Sequence, residues 1–143
     1  MKPITHAAIA AALASTAVAA VAQAAPPANI ANTTWTLRVD GSADTTLFID
    51  TQAGPGAPGN SACRAIRGNL PAEVPVRGWY CPDNGRFHLL HENKGSRLVM
   101  RAFLGNVIDP GNGQPRRIEG AALIDNSNFG DLGEVEFRAE QQP

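Results

Sequence analysis

The chain carries two cysteines, Cys63 and Cys81. The residues between them sort by chemistry if the two face each other across an antiparallel strand pair. In that register the turn centres on Ala72. Pro71 and Pro75 fall at its edges, where a missing N–H costs the ladder nothing. Ile66 then faces Gly78, Gly68 faces Val76 and Leu70 faces Val74, giving one largely apolar face. The other face carries Cys63–Cys81, Ala65–Trp79 and Arg67–Arg77. Directly opposed strand residues lie about 4.5–5.5 Å apart at Cα, a span that a disulfide bridges. The register that allows the disulfide is thus also the one that separates core from surface. It predicts a stapled hairpin running into a third strand at Arg86 to Glu92.

The same period-two alternation recurs along the chain. Trp35, Leu37 and Val39 alternate with Thr34, Thr36 and Arg38, as in a strand with one wet face. Asp40-Gly41-Ser42 reads as a turn. Thr45 to Thr51 is a second strand, with Leu47 and Ile49 on one face. Residues 52–62 are so rich in Gly and Pro that they are expected to form a mobile loop. Arg97 to Val107 is long enough to bend or carry a bulge near Gly105. Asp109 to Pro115 is a loop, and Arg117 to Asp125 a strand. Glu134 to Glu140 alternates most cleanly, with Val135, Phe137 and Ala139 against charged neighbours.

Eight short strands with short connections, and no helical period after the N-terminus, point to an all-β fold. A sandwich and an up-and-down barrel both fit. The eight-stranded antiparallel barrel stapled by one disulfide is the expected architecture, because closure removes exposed edges.

The N-terminus is of a different kind. Lys2, the apolar run Ala7 to Ala22 and Ala22-Gln23-Ala24 match a secretory signal peptide with a small-residue cleavage site. Residues 1–24 are therefore assigned to export, 25–32 to a flexible leader and 33–140 to the barrel domain. The expected location is periplasmic or secreted, where a disulfide persists. The run is too short and too rich in alanine to anchor the chain in a bilayer. Nucleic acid is not an expected partner, because the net charge is −1 and the longest basic run is Arg116-Arg117.

No residue set predicts catalysis. The serines lack a nucleophile elbow, and the one lysine after the leader, Lys94, lies in an Asn-Lys-Gly turn. His88 and His91, three apart on a strand, point to opposite faces and cannot pair on a metal. Asp125 to Glu136 partly matches a calcium loop, with Asp125, Ser127, Asp131 and Glu136 as its ligands. Phe129 breaks that pattern, and Glu136 fits equally as an outward residue of the last strand. No cofactor or metal is assigned. Arg67 opposite Arg77 places like charges together beside Trp79, as an anion or acidic partner would require; two side chains splaying into water would look the same.

Trp35-Thr-Leu at the first strand and Gly78-Trp79-Tyr80 midway resemble a calycin-type small secreted barrel of the avidin–streptavidin kind. That resemblance implies a small-ligand site at the barrel mouth, with Trp35, Trp79 and Tyr80 nearest to it and Arg67 and Arg77 alongside. Nothing after Trp79 is a tryptophan, so the resemblance does not extend to a biotin pocket. Residues 78–85 (GWYCPDNG) also resemble, with an insertion, a segment of small periplasmic inhibitors of metalloproteases. Tyr80-Cys81-x-Asp83-x-Gly85 is similar to a segment of lysozyme inhibitors. Both comparisons imply a protein partner, docked in the protease case through an N-terminal segment. The expectation is an exported binding protein without enzymatic activity, taking a small ligand in its barrel or, alternatively, inhibiting a protease or lysozyme. A hollow interior lined by Trp35 favours the first; an interior packed with Leu, Ile and Phe favours the second.

Overall fold

The computed structural model describes residues 24–57, 60–91, 101–126 and 131–143. Eight strands close into a barrel in which each is antiparallel to its chain neighbour. They are β1 (Thr33–Val39), β2 (Thr45–Ala57), β3 (Asn60–Leu70), β4 (Val74–Cys81), β5 (Arg86–His91), β6 (Arg101–Ile108), β7 (Arg117–Asn126) and β8 (Asp131–Gln141). The last strand returns to the first, with Trp35 opposite Gln141 and Val39 opposite Phe137. The expected signal peptide, Ala24 apart, lies outside the described residues, as do Lys94 and the centre of the calcium-like loop.

Alternation decides which side chains fill the interior. Trp35, Leu37, Val39, Leu47, Ile49, Ile66, Val76, Tyr80, Phe87, Leu89, Phe103, Val107, Ile118, Phe137 and Ala139 are buried in one cluster. Phe103 and Phe137 meet edge to face at 5.3 Å between ring centres. An eight-stranded barrel has an interior just wide enough for side chains to fill, and here aromatic rings fill it. Gly105 and Gly120 are directly opposed, and their missing side chains let β6 and β7 approach closely. A Cβ on Gly120 would meet the Leu104 carbonyl and lie 2.6 Å from the Gly105 Cα. No register shift occurs at Gly105, so the strand carries no bulge there.

The stapled hairpin has the register expected of it. Arg64 faces Tyr80, Ala65 faces Trp79, Ile66 faces Gly78 and Arg67 faces Arg77. Cys63 and Cys81 are bonded, with Cα atoms 4.0 Å apart, and both are buried.

Two expectations fail. Residues 52–62 do not form a loose loop: β2 and β3 run on through most of it and pair. Register shifts near Asp50, Gly54 and between Pro55 and Ala57 absorb the irregular residues. A bulge accepts a glycine at positive φ and a proline without an N–H, which a regular ladder does not; Gly54 has φ 63°.

The segment expected as a loose leader instead covers the barrel end at which β1 begins. Ile30 is fully buried and belongs to the core. The Tyr80 hydroxyl donates to the Pro27 carbonyl at 2.6 Å. Gln52 accepts from the Ile30 N–H at 3.0 Å and donates to the Ala28 carbonyl at 2.9 Å. Thr33 Oγ1 donates to the Ile30 carbonyl and accepts from Trp35 Nε1 at 2.8 Å. Ala24 bridges to Asp109, whose carboxyl is held below its ordinary range by hydrogen bonds from Arg116 and the Gly111 N–H. Burial pushes the Tyr80 phenol up to about 12, so it remains a donor at physiological pH.

Two outcomes follow. Reducing the disulfide is expected to lower stability by about 3 kcal/mol on the loop-entropy account, read as a fall in the denaturation midpoint with reductant. Tyr80→Phe strands the Pro27 carbonyl and is expected to cost about 1–2 kcal/mol. Amide exchange should then quicken first in residues 25–32.

Candidate functional site

The five residues singled out from the sequence divide between the two faces of the wall. Trp35 and Tyr80 point inward, are fully buried and have their polar atoms hydrogen-bonded inside the protein. They are not grouped with Trp79 at a barrel mouth, because strand alternation sends Tyr80 and its neighbour Trp79 to opposite faces. Arg67, Arg77 and Trp79 share the outer face of β3 and β4.

A groove of about 380 Å3 runs over this outer face, lined by Asp50, Arg67, Asn69, Pro75, Arg77 and Leu90 side chains with backbone at Gly68 and Val76. The bulge near Asp50 turns that carboxylate into the groove, where Asn69 Nδ2 donates to it at 2.9 Å. Gly68 lies beneath the groove without a side chain. Its missing Cβ would otherwise meet the Phe48 carbonyl of β2. The groove is thus lined by two guanidinium groups, one tethered carboxylate and an apolar wall.

Next to it, along β4 and β5, Trp79 stacks on His88 with ring centres 5.3 Å apart and planes 25° from parallel. The two are direct cross-strand partners. The Arg86 guanidinium carbon lies 5.7 Å from the Trp79 ring centre, in the range of a cation–π contact. Cationic groups therefore flank the indole, Arg77 preceding it on β4 and Arg86 lying over its ring. The sequence marks His88 only as half of a possible metal pair with His91, and it does not mark Arg86. Extending the hairpin register one strand further, onto β5, would have placed His88 opposite Trp79.

His88 and His91 do diverge. His88 lies outside on Trp79, and His91 points inward opposite Val76 and Arg101, at the barrel end away from the leader. Both imidazoles are held below their ordinary value, His88 by burial and His91 by burial and then by the Arg101 charge. His91 Nδ1 and Arg101 Nε are buried there without a hydrogen-bond partner among the described residues. No three His, Cys, Asp or Glu side chains converge as a metal set among the described residues. Of the calcium option, Ser127 lies outside those residues, while Glu136 is exposed on β8.

The depressed histidines set the sign of a pH effect. With folded values below 6.5, the unfolded chain takes up protons that the folded chain resists. Their contribution is complete above the unfolded value and lost as pH falls through and below it. Stability is expected to decline between about pH 7.5 and about pH 5.5, and His88→Gln should flatten part of that slope in denaturant midpoints.

Compared with models of known protein families, with curated proteins and with solved structures, the chain matches none.

Proposed function

We propose that this chain is an exported, non-enzymatic binding protein that docks a protein partner bearing carboxylates against the outer face of β3–β5. The observation that carries this reading is the division of the candidate residues. The interior is filled by Trp35, Tyr80, Phe87 and Phe103, while Arg67, Arg77 and Trp79 stand together outside. A packed interior favours a protein partner over a ligand held in the barrel. The two guanidiniums match carboxylates, and Trp79 is the kind of aromatic that anchors interfaces beside arginine. Asp50 requires a donor opposite it, which adds to the selectivity of the groove. Near-neutral overall charge makes this a local recognition patch and not a general polyanion surface.

The reading belongs with the inhibitor-type resemblance, with one change in the docking element. The leader's Ile30 and its Pro27 and Ala28 carbonyls are engaged by the barrel, which supports the β3–β5 face as the contact. The disulfide accords with an oxidising compartment outside the cytoplasm.

The test is capture from the exported protein fraction of the source, followed by affinity measurement with the captured partner. Arg67→Glu with Arg77→Glu is expected to weaken binding by at least about tenfold, and rising salt should weaken wild-type binding. Arg38→Ala on β1 should leave affinity unchanged. A small molecule retained by the natively purified chain, bound equally by the charge-reversed variant, would overturn this reading in favour of a ligand-binding barrel.

A further inference from the structure

The outer face of β5–β7 presents a second surface, distinct in composition from the groove. Leu104, 42% exposed, sits at the centre of it on β6. The outward residues of three neighbouring strands form three rows. Leu90, Ala102 and Leu123 align in one, His88, Leu104 and Ala121 in the next, and Arg86, Asn106 and Glu119 in the third. Two rows are apolar or nearly so, and the third ends in opposite charges.

We infer that this face binds a second copy of the same chain about a two-fold axis running along β6. Such a rotation lays β5 of one copy on β7 of the other at the same height and leaves β6 on itself. Leu104 then meets Leu104 on the axis, and Leu90 meets Leu123. Imidazole-bearing His88 falls over the small Ala121, and Arg86 meets Glu119. Each pairing is complementary, and each one off the axis occurs twice, as a self-complementary interface demands. The two-fold axis across the strands fails the same comparison: it sets Arg86 against Leu90 and Glu119 against Leu123, stranding charge on apolar side chains.

Both charged residues are held in place before contact. Arg86 lies over Trp79. Glu119 is steadied by Arg117 at 3.5 Å and Arg138 at 3.6 Å, long contacts that leave it room for a shorter partner. Ala102 and Ala121 let the two walls approach. Because the barrel curves away on both sides of β6, the contact is three strands wide and modest in area, so association should depend on concentration. Arg67 and Arg77 stay outside it, while β5 is common to both surfaces: Leu90 lines the groove, and His88 and Arg86 lie against Trp79.

Sedimentation of the mature chain over a dilution series, at low and high salt, tests the assignment. The mass is expected to approach that of two chains with increasing concentration. Leu104→Asp should yield a single-chain mass throughout. R86E and E119R should each weaken association by at least about tenfold. An equimolar mixture of the two should restore it, because each supplies the charge that the other lacks; circular dichroism verifies that both are folded. A single-chain mass at every concentration overturns the inference. So does a dimer indifferent to R86E and E119R, or a mixture of the two folded variants that fails to reassociate.

Discussion

The ladder between β1 and β8 closes the wall, and every burial described above depends on it. Five residue pairs join these strands from Trp35–Gln141 to Val39–Phe137. Beyond them the Gln142 N–H donates to the Thr34 carbonyl at 2.8 Å. Without this seam the sheet would have two open edges, and Trp35 and Phe137 would each lose the neighbours that exclude water from them. With it, each strand contributes one side of its alternation to a common interior. Close packing favours apolar side chains inside, and no polar or charged residue is wholly buried among those described, although His91 and Arg101 keep buried nitrogens at the end away from the leader.

Sealing at the first end has a second requirement that strand alternation does not supply. A closed wall still has two mouths, and the mouth beside Trp35 and Tyr80 is filled by Ile30 from a segment with no regular structure. Tyr80 makes this exchange chemical as well as steric. Its hydroxyl would be a buried orphan without Pro27, and the Pro27 carbonyl would be one without Tyr80. A residue that would line a ligand pocket in a hollow barrel is here a tether. That difference moves the chemistry of the protein from its interior to its outer wall.

The barrel was legible in the sequence because its information is local. Trp35-x-Leu37-x-Val39 and Val135-x-Phe137-x-Ala139 declare their faces unaided, and the cysteine pair sets the β3–β4 register residue by residue. Arg67, Arg77 and Trp79 were placed correctly on one face by the same register. What failed was information held elsewhere in the chain. Gly54 and Pro55 argue against a strand unless the partner strand is known to tolerate bulges. Trp35 and Tyr80 appeared free to line a mouth because Ile30 and Pro27, which occupy it, show no periodic pattern. Arg86 and Glu119 gain meaning only when β5, β6 and β7 are aligned side by side, since 32 positions separate them in the chain and Asn106 joins their rows.

The seam between the first and last strands also orders events during synthesis. β8 is made only after the six strands that separate it from β1, so Trp35 and Leu37 have no complete shelter until Phe137 and Ala139 arrive. The Ile30 plug must wait as well, since the mouth it fills does not exist before closure. Non-local pairing of this kind slows folding because the barrel's first and last strands must meet before the contact is rewarded. The staple between β3 and β4 joins residues 18 apart, so it is a covalent contact that does not have to wait for closure.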